Sequence, residues 1–179
     1  MKNLIEKTAI VLSALTILFI LIYDYYRSDL ILTLSITAGT TAYHFDMRII
    51  VGYIIDATMH NKANYNRKWY QPLKFESKLY EILRVKEWKD KIPTYIPDSF
   101  SLTKHSREEV IRTMCQAEIV HEVIALLSLL PIGLIPIFHA DLVFIITSLL
   151  ACIIDMMFVV MQRYNRPRLI KLIEKRKSR

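Results

Sequence analysis

The chain has 179 residues, is 53% hydrophobic and carries a formal net charge of +7. Ordinary soluble domains are about 45–50% apolar, and the apolar residues of this chain lie in long blocks that hold few charges. This distribution excludes a simple soluble enzyme, a disordered chain and a collagen-like repeat. The three glycines form no nucleotide-binding loop, and the two cysteines form neither a disulfide framework nor a Cys-x-x-Cys metal site.

Four apolar blocks follow one another along the chain, and each predicts a membrane-spanning helix. The first runs without a charge from Thr8 to Tyr23 and is followed by no small-residue cleavage site, so we interpret it as an uncleaved anchor. The third contains Pro131 and Pro136, which predict a kink or a break. The predicted spans cover about residues 8–24, 30–56, 117–138 and 142–162 of a single membrane domain.

The charges between these blocks predict the orientation of the chain. Lys and Arg outnumber Asp and Glu in the connection at residues 57–116 and in the basic tail at residues 163–179. The positive-inside rule therefore places the connection, the tail and both termini in the cytoplasm. The basic residues flank apolar blocks, where anionic lipid headgroups lie, and no recognition helix or aromatic platform accompanies them. We expect membrane lipids as partners and no nucleic acid.

The connection contains a segment with helical periodicity between Lys74 and Lys86. The apolar residues that share one face of this segment are Phe75, Leu79, Ile82 and Leu83. Trp69 and Trp88 flank it, and indole rings favour the membrane interface. We predict an amphipathic helix on the cytoplasmic membrane surface, with a soluble helix packed on the bundle as the alternative. A further helix is predicted to start near Ser106 and to continue into the third span.

Ionisable residues inside a span are expensive, so each is a functional hypothesis. Glu118, His121 and Glu122 share one helical face where the third span enters the apolar layer. A carboxylate beside an imidazole is the arrangement that general-base catalysis needs. Glu-x-x-His also occurs in di-iron bundles, but this chain contains one such motif, so we expect no metal. The structural alternative is an ion pair or hydrogen bond that ties helices together.

A polar stripe runs down the second span in steps of four residues. Its members are His44, Arg48, Gly52 and Asp56. The stripe is predicted to face the bundle interior, because lipid cannot solvate it. In the functional interpretation Arg48 holds an anion or a polarised carbonyl, and in the structural one it pairs with Asp56 or Asp155 and holds the bundle. Asp46 lies off the stripe and is expected to contact a different neighbour.

The fourth span ends in the motif Gln162-Arg163-Tyr164-Asn165-Arg166-Pro167-Arg168. The residue before a proline is biased away from helix, so a break is predicted near Arg166. Three arginines with Asn165 are suited to bidentate phosphate binding, whereas anchoring by snorkelling arginines is the structural alternative. The three polar groups are expected to meet in one cytoplasm-facing cavity that is open to lipid.

Three motifs carry a resemblance to a known family, and they occur in the order Val85–Ile92, Ala117–His121 and Gln162–Leu169. They resemble the glycosyl-4,4′-diaponeurosporenoate acyltransferases, the small bacterial membrane enzymes of staphyloxanthin-type carotenoid synthesis. The resemblance covers about residues 60–175. It implies a location in the bacterial cell membrane and the esterification of a sugar hydroxyl on a membrane glycolipid by a fatty acyl group. In the family the acceptor is a glucosylated carotenoid carboxylate.

We therefore predict an all-α integral membrane protein with about four transmembrane helices and a cytoplasmic amphipathic helix, acting as an O-acyltransferase. His121 is expected to remove the hydroxyl proton, Glu118 to orient His121, and Glu122 to complete the catalytic group. Arg48 or Asn165 is expected to stabilise the developing oxyanion. The predicted substrate-binding residues are His44, Arg48, Trp88, Gln162, Asn165, Arg166 and Arg168.

No bound cofactor is expected, and the acyl donor considered is a coenzyme A thioester whose phosphates Arg166 and Arg168 would bind. No Ser or Cys beside a base forms a nucleophile motif, so direct transfer is favoured over an acyl-enzyme. Two other functions stay open. One is a non-enzymatic lipid-binding or assembly subunit of a membrane biosynthetic complex, and the other is a small membrane methyltransferase or reductase.

Overall fold

The computed structural model describes residues 2–92 and 94–177, without the side chains of residues 176 and 177. Every element among these residues is helical, which confirms the predicted all-α class. The α-helices are α1 (Lys2–Tyr26), α2 (Asp29–Met59), α3 (Glu76–Ile82), α4 (Val85–Trp88), α5 (Arg107–Leu127), α6 (Ile135–Phe138) and α7 (Asp141–Lys177). Short 3₁₀ helices lie at Lys68–Tyr70, Pro97–Phe100 and Leu130–Leu134.

Three of the described helical stretches are long and apolar enough to cross a membrane, namely Lys2–Tyr26, Arg107–Phe138 and Asp141–Lys175. Their exposed side chains are largely apolar, as at Ile10 and Leu142, and such a surface suits lipid rather than water. The helix α2 has 31 residues but is not among these three. The helices indicate membrane association, while the count of four spans and the orientation of the termini stay predictions.

The helix of the third predicted span is interrupted where its prolines occur. The helix α5 ends at Leu127, a 3₁₀ helix follows at Leu130–Leu134, and α6 runs only to Phe138. Pro131 and Pro136 lack the N–H group that a continuing α-helix needs. His139 then adopts a φ of 50° before α7 begins. The predicted break is therefore confirmed.

Residues 2–52 and 123–155 form one compact unit, which includes a close contact between α1 and α2. Ser13 of α1 donates a hydrogen bond to Asp46 Oδ2 of α2 at 2.9 Å, so Asp46 has a partner of its own, as predicted. A Cβ atom built on Gly39 would lie 3.2 Å from Thr16 Cγ2. Glycine thus permits these two helices to approach closely, as small residues do in membrane bundles.

Residues 53–122 and 156–177 belong to the other compact unit. Its core contains Ile111 of α5 packed with Leu169 of α7. Ser106 caps α5, because its hydroxyl accepts from the Glu109 N–H at 3.2 Å while Glu109 Oε2 accepts from the Ser106 N–H at 2.7 Å. This reciprocal pair is a capping box. The predicted helix start near Ser106 is confirmed.

The segment predicted as one amphipathic helix over 74–86 is divided in two. The helix α3 ends at Ile82, α4 begins at Val85, and Arg84 between them has a φ of 48°. A non-glycine residue in the left-handed region cannot continue a right-handed helix. The apolar side chains Phe75 and Ile82 are nevertheless exposed, as expected for an amphipathic segment.

The break predicted near Arg166 is wrong, because α7 runs unbroken from Asp141 to Lys177 through Pro167. A proline inside a helix costs about 3 kcal/mol, since it removes one backbone hydrogen bond and crowds the preceding turn. Arg163 and Arg166, in the turn before Pro167, are both bound by buried carboxylates. These long-range contacts hold the helical conformation against the local preference of the proline.

Candidate functional site

Two arginines of α7 and two glutamates form a buried charge cluster: Glu76, Glu118, Arg163 and Arg166. Glu118 is completely buried, and Arg166 is 1% exposed. Glu118 Oε1 accepts a hydrogen bond from Arg163 Nη1 at 2.6 Å, and Glu118 Oε2 accepts one from Arg166 Nη1. Glu76 Oε1 accepts from Arg163 Nε at 2.7 Å. The two arginines and two glutamates carry no net charge together. Charged side chains are tolerated in a protein interior when they are paired in this way.

Backbone carbonyls of the connection also accept hydrogen bonds from both guanidinium groups. Arg163 donates to the carbonyls of Trp69 and Gln71, each at 3.0 Å. Arg166 donates to the Tyr70 carbonyl at 2.6 Å, and its guanidinium carbon lies 5.1 Å from the centre of the Tyr70 ring. Charge-assisted hydrogen bonds are stronger than neutral ones. The cluster therefore fastens the connection to α5 and α7.

Tyr80 extends the buried charge cluster. Its hydroxyl donates to Glu76 Oε2 at 2.8 Å, and its ring packs edge-on against Tyr164 with ring centres 5.3 Å apart. Burial is the largest cause that raises the pKa of Tyr80 above its ordinary value, followed by the hydrogen bond to Glu76 and the charge of that carboxylate. Tyr80 therefore stays protonated at neutral pH and acts as a donor.

A basic pocket of about 750 Å³ opens beside the cluster and is lined by the connection and the last turns of α7. Arg168 lies in this lining, with its guanidinium 3.4 Å from the centre of the Tyr164 ring. Four lining cations have no ion pair with a residue that the structure describes: Arg84, Lys86, Arg168 and Lys171. Glu81 and Glu87 also line it. The excess of positive charge suits a ligand that carries phosphate.

Each of the three predicted catalytic residues contacts a different neighbour among the described residues. The His121 ring stacks on Phe158 with ring centres 4.4 Å apart. Glu122 Oε2 accepts a hydrogen bond from Trp69 Nε1 at 3.0 Å. Glu118 binds two arginines, which corresponds to the structural alternative for this residue. The base role of His121 and the orienting role of Glu118 stay predictions.

The polar stripe of α2 meets α7 within the unit formed by residues 2–52 and 123–155. Arg48 forms an ion pair with Asp155 and donates to the His44 carbonyl at 2.8 Å. Of the two acidic partners considered for Arg48, the structure pairs it with Asp155. His44 is 5% exposed, and its ring nitrogens have no hydrogen-bond partner in the part of the chain that is described. In the other unit, Asp56 accepts from Gln116 Nε2 at 3.0 Å.

The remaining predicted binding residues lie at different depths. Gln162 and Arg166 are buried, whereas Asn165 is half-buried. Trp88 donates from Nε1 to the Leu83 carbonyl at 2.8 Å. Of the residues predicted to bind substrate, Arg168 lies in the described lining of the basic pocket. Arg166 is bound within the buried charge cluster. The meeting of the three polar groups in one cavity stays a prediction.

Glu76, Tyr80 and Lys171 were not among the residues predicted from the sequence. The four-residue spacing of Glu76 and Tyr80 is a signal for a side-chain pair on one helix. Their link to α7, however, depends on Arg163, which lies 87 positions from Glu76. Lys171 follows Arg168 by one helical turn, which places both cations on one face of α7. That spacing was the available signal for Lys171.

Metal binding has no candidate group within residues 2–92 and 94–177, where no three His, Cys, Asp or Glu side chains are placed to hold an ion. A family model described as glycosyl-4,4′-diaponeurosporenoate acyltransferase matches residues 66–175. This range includes the buried charge cluster and the residues that line the basic pocket. No curated protein and no solved structure matches the chain. Because the matched range is more than half of the chain, the protein belongs to the glycosyl-4,4′-diaponeurosporenoate acyltransferase family.

Proposed function

We propose that the protein transfers a fatty acyl group to a sugar hydroxyl of a membrane glycolipid, with a glycosyl carotenoid as the acceptor class that the family description suggests. The observation that carries this proposal is the basic pocket, which is lined by Arg163, Tyr164 and Arg168 of the family-like motif. The apolar helices support an acceptor that is dissolved in a membrane. The basic tail supports a cell-membrane location with both termini in the cytoplasm.

The proposed acyl donor is a coenzyme A thioester, which is bound through its phosphates. Arg84, Lys86 and Lys171 supply cations that have no carboxylate partner among the described residues, and Arg168 supplies a fourth. Arg168 is held by the face and the carbonyl of Tyr164, so little freedom is lost when it binds an anion. Arg166, predicted from the sequence to bind the donor, is bound instead by Glu118 and the Tyr70 carbonyl.

The proposed reaction joins the acceptor oxygen to the acyl carbon. The sugar hydroxyl attacks the thioester carbonyl, a C–O bond forms, the C–S bond breaks, and the hydroxyl proton passes through His121 to the departing sulfur. Trp69 supports this assignment, because its indole donates to Glu122 and its carbonyl accepts from Arg163. Trp69 thus connects Glu122, the residue after His121, with Arg163 of the pocket lining.

Lipid mass spectrometry tests the proposal. Membranes with the native chain, His121→Ala or His105→Ala, at matched protein levels, are supplied with acyl coenzyme A and a panel of glycolipids that includes a glycosyl carotenoid. His105 is an exposed histidine before α5 and is the matched control. We expect an acylated glycolipid with the native chain and His105→Ala but not with His121→Ala.

The two ways of failing are distinct. Full transfer by His121→Ala would refute the base assignment while leaving the transferase function intact. If the native chain acylates no glycolipid in the panel, acyl transfer is refuted and the assembly-subunit alternative replaces it. That alternative predicts that substitutions in the buried charge cluster lower the level of a partner complex.

A further inference from the structure

The connection exposes large apolar side chains outside the helices that are candidates to cross the membrane. They form the exposed apolar segment, defined as Trp69, Leu73, Phe75, Ile82 and Leu83. Ile82 is 68% and Trp69 is 62% exposed. Clustered exposure of this kind in water is unfavourable and marks an interaction surface.

The contact between α3 and α7 indicates the depth of this segment relative to a membrane. Glu76, in the first turn of α3, binds Arg163 of α7. Arg163 is the first residue of the basic tail, directly after the apolar run that ends at Gln162. The end of an apolar run followed by arginine corresponds to the boundary between hydrocarbon and headgroups. The helix α3 therefore lies at the level of that boundary.

Positive charges accompany the exposed apolar segment. Lys68, Lys74 and Lys78 are exposed, and none has an ion pair with another described residue. Trp69 turns its indole N–H inward to Glu122 while most of its ring stays exposed. A polar edge held by protein and an apolar ring left outside are typical of tryptophan at a membrane interface. Charge complementarity favours anionic lipid over a protein partner.

We propose that the exposed apolar segment inserts into the leaflet next to the basic tail, with anionic phospholipid as its partner. Phe75, the residue before α3, and Ile82, its last residue, are seven positions apart and lie on the same helical face. Both enter the acyl-chain boundary, while the neighbouring lysines bind phosphate headgroups. This inference rests on burial, charge and the Glu76–Arg163 contact. It does not depend on the proposed acyl transfer.

Tryptophan fluorescence tests the proposal in the full chain, because Trp69 and Trp88 are its two tryptophans. The variant Trp88→Phe makes Trp69 the reporter, in vesicles of phosphatidylcholine and phosphatidylglycerol. We expect blue-shifted Trp69 emission, loss of that emission when lipids with brominated acyl chains are used, and protection from aqueous iodide. Brominated phosphatidylglycerol should quench more strongly than brominated phosphatidylcholine at the same mole fraction.

Several results would overturn the proposal. Trp69 emission lost to iodide but not to brominated lipid would place the segment in water. Blue-shifted emission that responds to neither quencher would mean that protein, such as a second copy of the chain, covers it. Equal quenching by the two brominated lipids would reject anionic phospholipid as the partner.

A matched pair of reporters tests which face of α3 is inserted. In a chain with both natural tryptophans replaced by Phe, Phe75→Trp is compared with Ser77→Trp. Residues two positions apart on a helix are rotated by about 200° around its axis, so the two reporters point to opposite sides. We expect quenching by brominated lipid for Phe75→Trp and quenching by iodide for Ser77→Trp. The same response from both reporters would refute the assigned orientation.

Discussion

Replacing Glu118 by glutamine should destabilise the protein strongly, because it removes one of the two negative charges of the buried charge cluster. Glu118 accepts hydrogen bonds from both Arg163 and Arg166. In Glu118→Gln, Arg163 keeps Glu76, but Arg166 keeps the Tyr70 carbonyl and no carboxylate among the described residues. Removing one partner of a buried ion pair costs about 3–5 kcal/mol, since the other charge stays buried and unpaired.

This cost corresponds to a fall in melting temperature of about 6–20 °C, because 1 kcal/mol shifts a chain of this size by about 2–4 °C. Thermal unfolding of the detergent-solubilised protein measures the shift, and Glu174→Gln, at an exposed carboxylate of α7, is the matched control. The double variant Glu118→Gln/Arg166→Gln removes the unpaired charge and should recover part of the loss. A single variant that melts within about 2 °C of the native chain would refute the reasoning.

Three further predictions concern single side chains. Because the pKa of Tyr80 is raised in the fold, its contribution to stability is present below the ordinary phenol pKa of about 10 and is lost as the pH rises above it. The melting temperature of the native chain should therefore fall more steeply above that pH than that of Tyr80→Phe, and parallel alkaline profiles would contradict this. Pro167→Ala restores an N–H donor for the Arg163 carbonyl and should stabilise α7 by up to about 3 kcal/mol. A melting temperature below that of the native chain would contradict this and show that the proline contributes to stability. Lys171→Gln should raise KM for acyl coenzyme A with kcat little changed, whereas an unchanged KM would remove Lys171 from the donor site.

The sequence was sufficient for features that depend on neighbouring residues and on solvent. Long apolar blocks predicted the membrane-compatible helices, because hydrocarbon requires apolar side chains over the length of a span. The helix start near Ser106 was predicted, and a capping box of Ser106 and Glu109, three residues apart, forms there. Pro131 and Pro136 predicted the interruption after α5, because the missing N–H is a local property of proline.

The same local argument failed at Pro167, where α7 continues. The difference lies in the tertiary contacts. Arg163 and Arg166 are held by Glu76 and Glu118, 87 and 48 positions away in the chain. Long-range ion pairs of this kind outweigh a local preference, and the sequence does not show which residues will supply them.

The sequence by itself determined that the chain is helical, that it associates with a membrane and which residues are costly to bury there. Only the tertiary structure decided what those residues contact. For Arg48 the sequence allowed Asp56 or Asp155, and the fold selected Asp155. Glu118 was recognised as unusual, but the fold pairs it with two arginines. The physical reason is that desolvation cost is a property of the residue and its segment, whereas the compensating partner is chosen by how distant segments pack.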